Sequence, residues 1–205
     1  MGDGDIVWNG APCADLGRDD VSAFSVLWWL RPWFLVAPFL VVLMPAAQAQ
    51  SGWIDEAKLG LTDHDIGFGD HHVERGPDIN GEALFASPSF LDTVGAPRPD
   101  LGVSVNTAGR TSYAYAGLTW TVRPWRWLFA GFGLGGAVQD GQLDGSVPGH
   151  KSLGSRGLFR ESVELGYQFT SALSLSLFLD HISNANLARH NQGLTNFGLR
   201  TGYRF

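Results

Sequence analysis

Close to its C-terminus the chain reads HISNANLARHNQG, which brings His181, Ser183 and Asn184 together within four residues. A serine hydroxyl at its ordinary pKa is a weak nucleophile and needs a base beside it. On an extended strand, side chains at i and i+2 share a face. Their backbone positions lie roughly 6.5–7 Å apart, a gap that two side chains can close to a hydrogen bond. The residue types fit a nucleophile-like cluster, a hydroxyl with an imidazole in reach. A lone His-x-Ser is a weak signal, so the elements that hold it decide its meaning.

The chain has 205 residues, enough for one domain. Its net charge is −6 and it carries no basic cluster, which argues against a nucleic-acid partner. Cys13 is the only cysteine, so neither a disulfide framework nor a cysteine-based zinc site is available. His64, His71 and His72 lie in or beside a connecting segment among aspartates, without the spacing of a ligand set.

The first fifty residues are of a different kind. RPWFLVAPFLVVLMPAAQAQ has one positive charge, Arg31, then an apolar run from Trp33 to Met44, then Ala47 and Ala49 at the small positions a signal peptidase needs. This pattern predicts a secretory signal peptide over 26–49, cut after Ala49. The run falls short of the roughly 20 apolar residues of a membrane-spanning helix and ends at Pro45. Residues 1–25 are polar and acidic where a leader should be short and basic, so they are expected to be a non-native or untranslated extension. Cys13 falls in that extension. The exported domain is then 50–205.

From Gln50 onward alternation replaces helical periodicity. Strands are predicted near 54–65, 78–88, 99–107, 111–122, 125–138, 157–169, 172–183 and 194–205. In SALSLSLFLDH, Leu173, Leu175, Leu177 and Leu179 share one face while Ser174, Ser176, Phe178 and Asp180 share the other. In TNFGLRTGYRF, Phe197, Leu199, Tyr203 and Phe205 oppose Asn196, Arg200 and Arg204. Two homes suit such strands: a soluble sandwich with the apolar face inside, or a membrane barrel with the apolar face on lipid. The export signal favours the barrel. So does the contrast between short turns (FTSA, RPW) and the long connections 66–77, 139–156 and 184–193. Trp120, Trp125, Trp127, Tyr203 and Phe205 gather by the short turns, where an aromatic girdle belongs. The expected fold is all-β: an eight-stranded antiparallel transmembrane barrel of the bacterial outer membrane. Side chains fill the interior of so small a barrel, here Arg200, Arg204, Glu164, Gln168 and Asp180, which argues against a porin.

Parity then places the chemistry. His181 and Ser183 continue the odd, lipid-facing series of the seventh strand, whereas Asp180 turns inward. With the N-terminus in the periplasm, that strand ends at the outer surface. A polar pair on the outside of the wall, level with the outer leaflet, either sits in the headgroup zone without a role or serves a substrate that is itself a lipid.

HISNANLARHNQG also resembles the signature of the lipid A 3-O-deacylase (PagL) family, eight-stranded outer-membrane esterases with a His-x-Ser-Asn motif and an Asn-x-Gly turn before the last strand. The matching residues are His181, Ser183, Asn184, Asn191 and Gly193. The resemblance implies that Ser183 is the nucleophile and His181 the general base. It implies oxyanion or orienting roles for donors near Asn184 and Asn191, and no metal or cofactor. The implied partner is lipid A (lipopolysaccharide) of the outer leaflet; a homodimer is left open. The chain departs from the family where a glutamate stands on the last strand, two residues past the loop glycine. That position is Thr195, which can accept a hydrogen bond from imidazole but carries no charge.

A second carboxylate is available on the sixth strand. Across the turn at Thr170 and Ser171, Phe169 pairs with either Ser171 or Leu173, which sets His181 opposite Phe159 or Glu161 respectively. Glu161 has lipid-facing parity and is costly there without a partner; His181 is the candidate. The sequence thus predicts an outer-membrane serine esterase acting on lipid A. The competing expectations are a catalytically silent barrel serving adhesion or envelope integrity, and an acyltransferase, which needs an interior pocket for a chain.

Overall fold

Strands with one apolar and one polar face need two different surroundings, and a sheet rolled into a tube supplies both. The computed structural model describes residues 53–67 and 72–205. The expected signal peptide 26–49, the extension 1–25 with Cys13, and His71 lie outside the described residues. Eight strands follow one another: β1 Ile54–Asp63, β2 Pro77–Phe85, β3 Arg98–Asn106, β4 Tyr113–Trp125, β5 Leu128–Gln139, β6 Gly157–Gln168, β7 Leu173–Ser183 and β8 Leu194–Arg204. Each pairs antiparallel with the next, and β8 closes on β1 from Glu56↔Arg204 to Asp63↔Phe197. A closed sheet leaves no edge, which is the condition for a sheet to stand in lipid. This is the eight-stranded antiparallel barrel that the alternation predicts.

The sequence predicts a break at Arg123–Trp125, but β4 runs on to Trp125. Its pairing with β5 shifts between Val122 and Trp125. A bulge of this kind accommodates a residue without an N–H, here Pro124. The β2–β3 connection contains a short 3₁₀ turn, Ser89–Val94.

Inside, the barrel is filled with paired charge. Arg200 and Arg160 are fully buried. Arg200 pairs with Glu82, and its guanidinium lies 3.9 Å from the centre of the Phe178 ring. Arg160 Nε meets Asp180 Oδ1 at 2.9 Å and the guanidinium stacks 3.6 Å over Tyr115. Lys58 Nζ donates to Glu164 at 2.5 Å. Outside, Val163, Leu165, Leu177, Leu199 and Phe132 are exposed and form the lipid-facing belt. At the short-turn end, rings run in contact around the wall: Trp125 on Trp127 at 5.9 Å, Trp127 on Tyr167 at 5.6 Å, Tyr167 on Phe169 at 5.0 Å. Tyr203 and Phe205 pair beside them at 5.2 Å. The opposite end carries the long connections and is the outer end.

Removing one partner of a buried pair leaves the other charge unpaired, at a cost of about 3–5 kcal/mol. Arg200→Ala should therefore lower barrel stability by about that amount, read as the urea midpoint of the shift between folded and unfolded gel bands. Arg200→Met with Glu82→Met removes both charges and should recover most of the loss.

Candidate active site

The alternation along β7 runs unbroken to its outer end. Asp180 and Ile182 are buried inside the barrel, and His181 and Ser183 alternate with them on the lipid side, half-buried. Asp180 is committed inside, accepting from Tyr113 Oη at 2.6 Å and pairing with Arg160. The register between β6 and β7 is the one that sets Glu161 opposite His181 and Phe159 opposite Ser183. On the other side His181 pairs with Thr195. The imidazole thus stands between a carboxylate-bearing strand and a threonine-bearing strand.

Thr195 holds the ring. His181 Nδ1 and Thr195 Oγ1 are 2.8 Å apart. With the Thr195 oxygen accepting from Nδ1–H, Nε2 is unprotonated and free to act as a base. Thr195 is buried, and its carbonyl accepts from Ile66 N at 2.8 Å, so its position is fixed from the β1 side. Glu161 is exposed, and among the described residues it has no ion-pair partner. Gly193 closes the far face of the ring. Its φ is +59°, and a Cβ built there stands 3.0 Å from His181 Cε1 and 3.4 Å from Nε2. Glycine is required both by the backbone conformation and by the ring's approach. Ser183 Oγ has no hydrogen-bond partner among the described residues. The two side chains are on one face of the strand, and catalytic contacts of this kind often tighten only when substrate binds.

Asn184 and Asn191 build the connection that follows. Asn184 is buried; its N–H donates to Asn191 Oδ1 at 2.9 Å. Its amide donates to Leu153 O at 2.8 Å and His190 O at 2.6 Å. Asn191 Nδ2 donates to Asn186 Oδ1 at 3.0 Å. These bonds occupy the donors of Asn184, so the geometry suits an orienting role for both asparagines. The chain then turns sharply: Ala185 and Asn186 have φ of 52° and 62°, and Leu187 N donates back to Asn184 O at 3.0 Å. This is a type I′ turn. The Ala185 and Asn186 N–H groups have no acceptor among the described residues. They lie two and three residues after the serine. The motif reading points to donors near Asn184 without singling these out, because nothing in the residue type of Ala185 signals a left-handed backbone.

A groove of about 810 Å³ opens on the lipid-facing wall beside this turn. Its floor follows the sheet's own pairing: Ser183↔Phe159, Phe159↔Gly136, Gly136↔Ala116, Ala116↔Leu101. Gly136 and Ala116 leave the floor low, Val138 rises beside it, and Leu187 reaches it from the connection after β7. The row that begins at the serine thus becomes an apolar trough running across four strands.

A sequence profile of the lipid A 3-O-deacylase (PagL) family matches residues 102–204, half of the chain. The match begins in β3, ends in β8 and takes in His181, Ser183, Glu161 and Thr195. No curated protein sequence matches the chain. Among solved structures, the outer membrane enzyme PagL is similar at a TM-score of 0.56 and 18% identity, covering 73% of this chain and 99% of that one. A de novo designed transmembrane β-barrel matches at 0.49 and 11% identity, covering 76% and 98%. The N-terminal barrel domain of Pseudomonas aeruginosa OprF matches at 0.49 and 12%, covering 74% and 98%. This chain, a closed eight-stranded barrel of the bacterial outer membrane, belongs to the lipid A 3-O-deacylase (PagL) family.

Proposed function

We propose that the chain hydrolyses an ester-linked acyl chain of lipid A in the outer leaflet, with Ser183 as nucleophile and His181 as general base. The observation that carries this reading is the position of the pair: both residues stand on the lipid side of β7, where the row of Ser183 continues into an apolar trough. Ser183 Oγ attacks the ester carbonyl and its proton passes to His181 Nε2. The negative oxygen of the tetrahedral intermediate takes hydrogen bonds from Ala185 and Asn186 N–H. Donors of this kind typically contribute ~10²–10³ in rate. The C–O bond to the sugar breaks, His181 returns the proton to the leaving oxygen, and water then releases the fatty acid from Ser183 by the same route in reverse. The released acyl chain lies along the trough. Asn184 and Asn191 hold the turn.

The third position is where this chain is unusual. Thr195 fixes the ring and its tautomer but adds no charge to balance the imidazolium. Glu161, the register partner of His181 on β6, is the carboxylate that supplies it. The Thr195 hydrogen bond also favours a second reading, a silent barrel in which the ring is held but the reaction is not driven.

Ser183→Ala should abolish release of fatty acid from lipid A, read by mass spectrometry, with the heat-modifiable migration of the folded barrel intact. Wild-type turnover in that variant would exclude Ser183 as nucleophile.

Removing the acid of a buried protease triad has cost about 10⁴ in rate; at a rim open to water Glu161→Gln should cost less, and Thr195→Glu should restore the rate in that background. A rate unchanged by Glu161→Gln but raised by Thr195→Glu would mark the wild type as a bare Ser–His pair. No product from any of these proteins would favour the silent barrel.

Gly193→Ala should displace the imidazole. A misplacement of about an ångström costs ~10² in rate, so kcat should fall by about that factor with KM little changed.

A further inference from the structure

The outer end of the barrel is closed by a second polar cluster that the reaction above does not use. His64 follows β1 directly and has no exposed surface. Its Nδ1 lies 2.9 Å from Asp78 Oδ2 and its Nε2 lies 2.8 Å from Glu74 Oε2. A neutral imidazole has one N–H and would turn a bare lone pair on one of these carboxylates. Only the imidazolium satisfies both. The charge count agrees. Asp65, Glu74 and Asp78 are all fully buried, and Lys151 faces Asp65 at 2.8 Å. Without a charge on His64, Lys151 and His150 are the basic side chains that stand against these three carboxylates among the described residues.

Two chains of hydrogen bonds run from this ring to the candidate active site. The first leaves through Asp78, which accepts from Asn196 Nδ2 at 2.9 Å. Asn196 Oδ1 accepts from Asp65 N at 3.0 Å, and the next residue, Ile66, donates to Thr195 O at 2.8 Å. Thr195 holds His181. The second leaves through Glu74, which accepts from Lys151 N at 2.9 Å. Ser152 N donates to Gln192 Oε1 at 2.6 Å, and Leu153 O accepts from Asn184 Nδ2 at 2.8 Å. One chain ends on the partner of the base and the other on the neighbour of the nucleophile. Gly154, with φ +74°, lets Asn184 and His190 close on this segment where a side chain would collide with both.

We propose that His64 is a positioning residue for the deacylation site: a buried imidazolium clamp between Glu74 and Asp78 that sets both Thr195 and the β7–β8 connection. The inference rests on the Ser183–His181 reading for its catalytic consequence, and on the cluster alone for the clamp. Burial pulls the imidazole down, but its hydrogen bonds to Asp78 and Glu74 outweigh this and raise it from 6.5 to about 9. Burial pushes Glu74 up, while His64 and the Lys151 and Thr111 donors outweigh it and hold the carboxyl at about 2. The titratable groups facing His64 are Asp78 on β2, Glu74 and Asp65 on the β1–β2 connection, and Lys151 with His150 on the β5–β6 connection through those carboxylates. A raised folded pKa contributes stability that is complete below 6.5 and lost as pH rises through about 9. A depressed carboxyl contributes stability present above 4.5 and lost as pH falls through about 2. The clamp is therefore closed at neutral pH and opens on the alkaline side.

The test uses the full chain folded in lipopolysaccharide-containing vesicles, with two readouts: kcat for fatty-acid release, and trypsin cleavage after Arg189 in the β7–β8 connection. In the wild type kcat should fall reversibly as pH passes about 9, with KM steady, the barrel still folded, and cleavage after Arg189 rising in step. His64→Gln, neutral at every pH, should lose on the order of tenfold in kcat, lose the alkaline limb, and be cleaved at pH 7. Adding Glu74→Gln removes the unpaired carboxylate and should restore protection and part of kcat. Should His64→Gln fail to fold, the wild-type histidine spectrum decides: an imidazolium at pH 7 that titrates near 9 supports the clamp, and a neutral ring overturns it. Wild-type kcat and protection in His64→Gln also overturn it. If Ser183→Ala keeps full turnover, the Ser183–His181 assignment fails by itself, and the cleavage readout still decides the clamp.

Discussion

Lipid offers no partner to a bare N–H or C=O, and that single constraint organises this molecule. It compels β8 to close on β1. Once the sheet is closed, every side chain must point either to lipid or to the interior, with no third choice. Leu175, Leu177 and Leu179 take one side, Ser174, Ser176 and Asp180 the other. The interior must then be both polar and full, which the Arg200–Glu82 and Arg160–Asp180 pairs accomplish under the rings of Phe178 and Tyr115. The same alternation leaves His181 and Ser183 outside. A polar pair in that position is anomalous for a wall and appropriate for a site whose substrate is the surrounding lipid.

The two polar systems of the barrel differ in purpose. Around Arg160 and Arg200, charges neutralise one another so that they can be buried beside the rings of Phe178 and Tyr115. At the outer end, the cluster around His64 fastens connections that have little regular structure: Glu74 alone accepts from the backbone of Thr111 and Lys151, and Asp65 from that of Val73 and Glu74. Long outer connections usually carry sequence variation and motion. Here the β7–β8 connection is fastened to Ser152 and Leu153 of the β5–β6 connection and internally by the paired asparagines.

Much of this was legible in the residues. Period-two alternation identifies the strands and, by parity, the face of His181 and Ser183. The turn at Thr170 and Ser171 narrows the partner of His181 to Phe159 or Glu161, and the structure selects Glu161. What was illegible depends on distant partners or on backbone that residue type does not encode. Pro124 reads as a break because the bulge that accepts it involves β5. Ala185 in the left-handed region has no signature. His64 reads as a loop histidine, since its partners Glu74 and Asp78 meet it only when the outer connections fold together.

The trough that continues the row of Ser183 is floored by Leu101, Ala116, Gly136 and Phe159 on the lipid-facing side of the wall. A reactant that reaches such a trough never leaves its leaflet. Encounter is then a two-dimensional event, and the quantity that governs saturation is the mole fraction of substrate among the lipids. Diluting the aqueous suspension leaves that fraction untouched, whereas diluting the leaflet with inert lipid lowers it directly. For a barrel built this way, membrane composition takes the place of bulk concentration.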